Sequence, residues 1–297
     1  MSAEANQKKM TYVKLGNSGL KVSRLILGLM SYGNKEWNEW VLDEEEGIQH
    51  IKAAYDAGIQ TFDTANVYSN GDSERILGKA IKQLNLPRDE IVVMTKVFGV
   101  VTRDNRESIR VDGGDSPRAD ARGYANQYGL SRKHIFESIK HSLDRLQLDY
   151  VDVLQCHRFD YHTPIAETMQ ALHDVVKAGY AREEEREMMP TLKMFGVGMI
   201  PWSPPSQGIL AWPYEATSLR SETGQFAGLI VQTKNDNKEV ILRVEKIAEA
   251  RVSAPIIGTT RLSNLYDLLD VLDVKLTEEE IKQLEEPYVY QAIQAFA

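Results

Sequence analysis

Residues 59–96, IQTFDTANVYSNGDSERILGKAIKQLNLPRDEIVVMTK, carry the pattern that decides the fold. A short apolar run at 59–63 is followed by a helical pattern over 73–84 and then by a second apolar run at 91–96. Both runs are apolar at most positions rather than alternating, which suits strands covered on two faces. Strand, helix, strand predicts parallel pairing, because a parallel connection has room for a helix and a hairpin does not. Outward from this unit the same rhythm recurs. It predicts further strands at 24–30, 151–156, 196–201 and 254–258, and helices at 44–57, 131–146, 165–178, 238–250 and 262–272. Ahead of them YVKLGNSGLKVSRL, 12–25, sets an Asn-Ser-Gly turn between two short alternating runs and predicts an N-terminal β-hairpin outside the main sheet. The expected class is α/β, and with no Pro/Gly/Ser-rich linker it forms a single domain over residues 1–297.

One place breaks the rhythm. After the helix ending near Ala178, GYAR runs directly into EEEREMMPTLKMFG, a second helical pattern, and no strand is legible between them. KEVILRVEKIAEAR similarly meets VSAPIIG at an abrupt junction. The count is six strands, two short of a (β/α)8 barrel. The longest irregular stretch, Phe98 to Leu130, follows the C-terminal end of a strand, where α/β enzymes carry their substrate loops.

Charge and cysteine content narrow the function. With 35 Lys plus Arg against 43 Asp plus Glu the chain is mildly acidic and has no basic block, so neither nucleic acid nor an anionic membrane is expected as partner. The single cysteine, Cys156, excludes an internal disulfide framework and fits a reducing compartment such as the cytoplasm. The N-terminal MSAEANQKKMTY is too polar for a signal peptide, and no apolar run is long enough to span a bilayer. The glycine signatures of a Rossmann fold and a P-loop are absent, as is the G-x-S-x-G elbow.

Polar residues instead gather at strand ends. Asp63 closes the run at 59–63 with Tyr68 five residues on, Lys96 closes the run at 91–96, and His157 follows the run at 151–156. In a parallel barrel these ends meet on one face. Tyrosine, with a pKa of about 10, is a poor acid near neutrality unless a cation stabilises its phenolate. Lysine is that cation, and a carboxylate beside it keeps it charged when buried. A histidine orients a carbonyl oxygen beside the hydroxyl. Taken singly, Asp63 reads as a turn residue and Tyr68 as a packing residue. Within CHRFDYH, His157, Asp160 and His162 also read as metal ligands. The joint placement is what points to a proton donor aimed at a carbonyl.

A second group lies near the C-terminus. Gly258, Thr259 and Thr260 precede a helical pattern with Arg261 beside them, a natural phosphate site, and Trp202 follows the run at 196–201 as a flat stacking surface. The alternative is an ordinary helix cap with a surface arginine.

Together GLKVSRLILG, TFDTANVYSNGDSERILGKAI, VMTKV, LDYVDVLQCHRFD, IPWSPPSQGIL and APIIGTTRLSNL resemble the aldo-keto reductases, in particular the branch of fungal aryl-alcohol dehydrogenase-like proteins and potassium-channel β subunits. The resemblance covers nearly the whole chain in order. It implies a TIM-type (β/α)8 barrel that binds NADP(H) and reduces small-molecule aldehydes or ketones to alcohols. Tyr68 then stands as general acid, Lys96 as the residue that lowers its pKa, Asp63 as the holder of Lys96 and His157 as the carbonyl-orienting residue, with no metal. The nicotinamide would lie over Trp202. Ser203 and Gly208 match the loop around the pyrophosphate, Thr259 and Arg261 the 2′-phosphate contacts, and Asn264 and Asp267 the adenine end. Pro205 stands where related loops have leucine. Against the family pattern, the fifth and sixth strands are missing between Arg182 and Glu183, and most of a helix between Arg251 and Val252. The barrel implied is therefore incomplete, and a non-catalytic, cofactor-binding or inactive truncated form is the alternative reading.

Overall fold

The computed structural model describes residues 10–15, 18–109, 111, 113–185, 214, 238–239, 241–242, 259–269 and 276–286 of the 297-residue chain. The hairpin forms as expected: β1 (Tyr12–Lys14) pairs antiparallel with β2 (Lys21–Ser23), placing Val13 opposite Val22. The main sheet follows in strict chain order and is parallel throughout. Its strands are β3 (Leu27–Gly28), β4 (Thr61–Asp63), β5 (Val92–Val97), β6 (Val151–Cys156) and β7 (Ala181–Glu185). Every residue of β5 is buried, the signature of a strand covered on both faces.

Helices α1 (Glu44–Asp56), α2 (Asp72–Gln83), α4 (Arg132–Leu146) and α5 (Ile165–Lys177) fall within a residue or so of their expected limits. Their starts have local causes. Asp43 caps α1 by accepting from the Glu46 N–H, three glutamates fill the first turn, and Ser131 caps α4 by accepting from the His134 N–H. Close approach of α2 and α4 depends on Gly78, where a Cβ would fall 2.3 Å from the Leu146 carbonyl oxygen.

The two faces of the sheet bury different partners. Val93, Val97 and Leu154 join the helix-covered core with Ile76, Leu77, Ile135 and Ile139. Val92, Met94 and Val153 face the other way and cluster with Leu15, Val22 and Ile26, so the hairpin covers the N-terminal end of this inner face. Further along the same face β5 and β6 present Lys96 and Gln155, which are register partners. The inner face thus passes from apolar to charged toward the C-terminal strand ends.

The structure departs from the sequence reading in several places. The run at 24–30 yields only a two-residue strand before a 3-10 turn at Leu29–Ser31. After Ala178, where the sequence reading left a strand either absent or illegible, one is present: β7 lies parallel to β6, with Val151 beside Ala181 and Gln155 beside Glu185. AREEE has no strand propensity or alternation of its own, so its partner specifies it. The 98–130 stretch contains the short helix α3 (Pro117–Ala121), begun by Ser116 as cap. Near the C-terminus, α6 (Leu262–Leu269) forms where expected, its Leu265 and Leu269 buried in the main core. The unexpected α7 (Glu278–Glu285) has a capping box between Thr277 and Glu280. Of the helix expected at 238–250, residues 238–239 and 241–242 are helical; the strands expected at 196–201 and 254–258 lie outside the described residues. No helix among the described residues is long and apolar enough to cross a membrane.

Candidate active site

Asp63, Tyr68, Lys96 and His157 converge at the C-terminal end of the inner face. The Lys96 ammonium donates to Asp63 Oδ2 at 2.6 Å and to the Thr64 carbonyl oxygen at 2.7 Å. Both members of the ion pair are almost wholly buried. The second carboxylate oxygen of Asp63 accepts from Gln155 Nε2 at 2.9 Å. Lys96 Nζ stands 5.0 Å from the centroid of the Tyr68 ring, and His157 meets that ring edge-on, with centroids 5.7 Å apart and planes at 84°.

Tyr68 is placed by an unusual backbone. It opens a 3-10 turn, Tyr68–Gly71, in which Ser69, Asn70 and Gly71 have φ values of 47°, 50° and 92°. Left-handed serine and asparagine are held only where surrounding contacts over-determine them. The Asn34 N–H donates to Ser69 Oγ, while Asn70 donates to the Asp104 carbonyl and accepts from the Thr102 N–H. Residue 33 must be glycine, since a Cβ there would fall 1.9 Å from Ser69 Oγ.

Behind the turn is a buried polar layer. Ser73 donates to the Leu29 carbonyl and bonds the Thr64 hydroxyl, and Asn66 reaches Ser138 from α4. Glu74, the third residue of α2, accepts from Thr95 Oγ1 at 2.5 Å and from Arg145 Nε at 2.6 Å. Thr95 neighbours Lys96, and Glu74 follows the Tyr68 turn, so one carboxylate ties the elements that carry both residues.

The electrostatics follow from this geometry. Burial disfavours the Lys96 ammonium, but Asp63 and Tyr68 outweigh it and the pKa is raised overall. Burial, then the positive charges of Lys96 and Arg158, push the half-buried His157 down to about 3, so the ring is neutral near pH 7. A tyrosine with an ammonium and a neutral imidazole packed against it is equipped to give a proton to a carbonyl oxygen.

Asp160 plays a different part from the ligand role considered for it. It is buried, and its carboxylate accepts from the N–H groups of Leu130, His162 and Thr163 and from the Thr163 hydroxyl. Glycines at 114 and 129, both at positive φ, leave room for it. These bonds tie the loop after His157 to the 98–130 stretch. Among the described residues no group of three or more His, Cys, Asp or Glu is arranged to hold a metal ion.

The second predicted group is only partly described. Thr259 is 5% exposed, and its hydroxyl is used within the turn, accepting from the Arg261 N–H and donating to the Arg261 carbonyl. Thr260 and Arg261 are exposed at the N-terminus of α6, Asn264 is half-buried and Asp267 exposed. Trp202, Ser203, Gly208 and Gly258 lie outside the described residues. Sequence reasoning missed Gln155 and the Glu74–Arg145 pair. Their signals were a glutamine inside the apolar run VDVLQC and a glutamate on the core face of α2.

The profile of the Aldo/keto reductase family matches residues 24–184, a span containing all four converging residues. The chain is 40% identical to versiconal hemiacetal acetate reductase of Aspergillus parasiticus over 343 aligned positions, covering 96% of this chain and 98% of that one. It is 38% identical to the aldo-keto reductase dtxS3 of Metarhizium robertsii, covering 99% and 95%. A Schizosaccharomyces pombe protein bearing an aryl-alcohol dehydrogenase name is 41% identical, covering 93% and 95%. An aligned span of 343 positions exceeds the 297 residues available, so the alignment opens gaps in this chain. Family match, near-complete coverage and a parallel α/β sheet with these residues at its strand ends agree: the chain belongs to the aldo/keto reductase family, whose members are oxidoreductases that generally use nicotinamide cofactors.

Proposed function

We propose that this protein is an NADP(H)-dependent reductase of aldehydes or ketones, built on a barrel of the TIM type and working in the cytoplasm. The observation that carries the reading is the buried Asp63–Lys96 pair against Tyr68, with His157 packed nearly perpendicular to the same ring. Tyr68 gives its hydroxyl proton to the substrate carbonyl oxygen. Lys96 stabilises the phenolate left behind, and Asp63 keeps Lys96 charged inside the protein. Neutral His157 directs the carbonyl oxygen toward the hydroxyl without adding a competing charge. The chemistry that a reduced nicotinamide supplies when bound is a hydride equivalent for the carbonyl carbon.

The residues at α6 suit the phosphate end of such a cofactor. Thr260 and Arg261 are exposed at a helix N-terminus, where backbone N–H groups and a guanidinium favour an anion. Thr259 shapes that turn from within. Trp202, Ser203, Gly208 and Gly258 would complete the site, with Asn264 and Asp267 toward the adenine.

The names of the relatives point to reduction of oxygenated organic compounds and to aryl alcohols, and flat or apolar carbonyl compounds are the substrates to try first. The test is Tyr68→Phe, assayed with an aromatic aldehyde and NADPH. Turnover should fall about 10²–10⁴-fold, the usual worth of a positioned general acid, with NADPH binding retained. A variant that reduces aldehydes as fast as the parent would end the assignment.

A further inference from the structure

Gln155 bridges strands that do not pair with each other. It sits on β6, yet its amide donates at 2.9 Å to Asp63 on β4, reaching across the intervening β5 at the position of its register partner Lys96. The Asp63 carboxylate is thereby gripped from two sides, by the Gln155 amide on Oδ1 and the Lys96 ammonium on Oδ2. Lys96 spends a second N–H on the Thr64 carbonyl and also interacts with the Tyr68 side chain. Each bond fixes the next: the amide sets the carboxylate plane, the carboxylate sets the ammonium, and the ammonium faces the tyrosine.

We propose that Gln155 is a positioning residue for the Tyr68 proton donor, acting through Asp63 and Lys96. The inference rests on the reading of Tyr68 as the acid and adds a residue that controls how strong an acid it is. The physical reason lies in how Asp63 divides its charge. A neutral donor on Oδ1 draws electron density away from the carboxylate, which leaves more of the Lys96 charge to act on Tyr68. Without that donor Asp63 holds Lys96 more tightly, the phenolate is stabilised less, and Tyr68 titrates at higher pH. The ionisable groups found against the tyrosine among the described residues include Asp63 from β4, Lys96 from β5 and His157 after β6, with Arg158 acting on His157. His157 stays neutral above about pH 3, so it adds no titration in the range assayed.

The experiment compares Gln155→Met, close in shape but without a donor, with Gln155→Glu. In Gln155→Met the alkaline limb of the kcat profile should move up by about one pH unit and kcat should fall about tenfold, with KM for the aldehyde within about twofold. A purely structural role would lower the melting temperature and leave the limb in place. Gln155→Glu should be slower still at neutral pH and regain activity on acidification, because a protonated carboxyl donates to Asp63 as the amide does. An unmoved limb together with parental kcat in Gln155→Met overturns the proposal. Retained turnover in Tyr68→Phe overturns the underlying reading instead, so the two failures are distinguishable. A readout independent of turnover is the ¹⁵N resonance of the Lys96 ammonium, assigned by its loss in Lys96→Met. It should shift in Gln155→Met, and an unchanged resonance refutes the coupling.

Discussion

Removing the guanidinium of Arg145 leaves a fully buried carboxylate without its ion-pair partner. Glu74 has no exposed side-chain surface, and its two oxygens hold Arg145 at 2.6 Å and Thr95 at 2.5 Å. Arg145→Met keeps an unbranched stem against Gly71, where a Cβ would lie 2.5 Å from Arg145 Cδ, but leaves a buried carboxylate with one neutral donor. Breaking such a pair from one side costs about 3–5 kcal/mol. The reverse change, Glu74→Gln, should cost less, because the Arg145 side chain retains 9% exposure and Ser142 as a partner, and the new amide still accepts from Thr95. The double variant carries no buried charge and should recover most of the loss, giving a coupling of about 2 kcal/mol or more. Urea unfolding followed by tryptophan fluorescence measures all four corners of the cycle. Additive single effects, with coupling below about 0.5 kcal/mol, would refute the claim that the two residues form one buried unit.

Three further outcomes follow from the same structure. His157 is held neutral in the folded state down to about pH 3, whereas in the unfolded chain it takes up a proton near its ordinary value. The unfolded state therefore binds the extra proton first, and stability should fall as pH drops from about 6.5 toward 3. His157→Asn should flatten that slope in acid-unfolding curves, and an unchanged slope would count against a ring held neutral. Asp160→Ala strands the buried N–H of Leu130, worth about 1–3 kcal/mol when unpaired, and releases the part-buried N–H groups of His162 and Thr163 to solvent. Limited proteolysis should then cut within 98–130 faster than in the parent, and equal cutting would show that Asp160 does not anchor that stretch. Arg261→Ala should weaken NADPH about 10–100-fold, a charged hydrogen bond's worth, with NADH within about twofold by nicotinamide fluorescence. Equal loss for both cofactors would remove Arg261 from the 2′-phosphate.

What was legible in the sequence was whatever a residue dictates locally. The apolar runs at 59–63, 91–96 and 151–156 have one stable use, as strands buried on both sides, and the apolar spacing of the helical patterns located α1, α2, α4 and α5. Asp63, Lys96 and His157 were readable because polar residues ending apolar strands need a reason to be there. Strand β7 was not, since AREEE becomes a strand only through β6. The left-handed turn at Ser69 and Asn70 was equally hidden, because neither residue type demands positive φ and the cause is distributed over Gly33, Asn34, Thr102 and Asp104. Gln155 escaped for a similar reason. Its partner is 92 residues away and two strands over, a distance no local pattern encodes.

The small cluster beneath the sheet has a consequence for synthesis. Leu15 and Val22 of the hairpin leave the ribosome first, but the residues they are buried against, Val92, Met94 and Val153, belong to β5 and β6. At about 5–20 residues per second, the last of these follows the hairpin by roughly ten seconds. During that interval the growing chain carries an uncovered apolar ribbon while the parallel strands are added one by one in chain order. A chaperone that binds nascent chains should therefore engage this protein at its N-terminus and let go once β6 emerges.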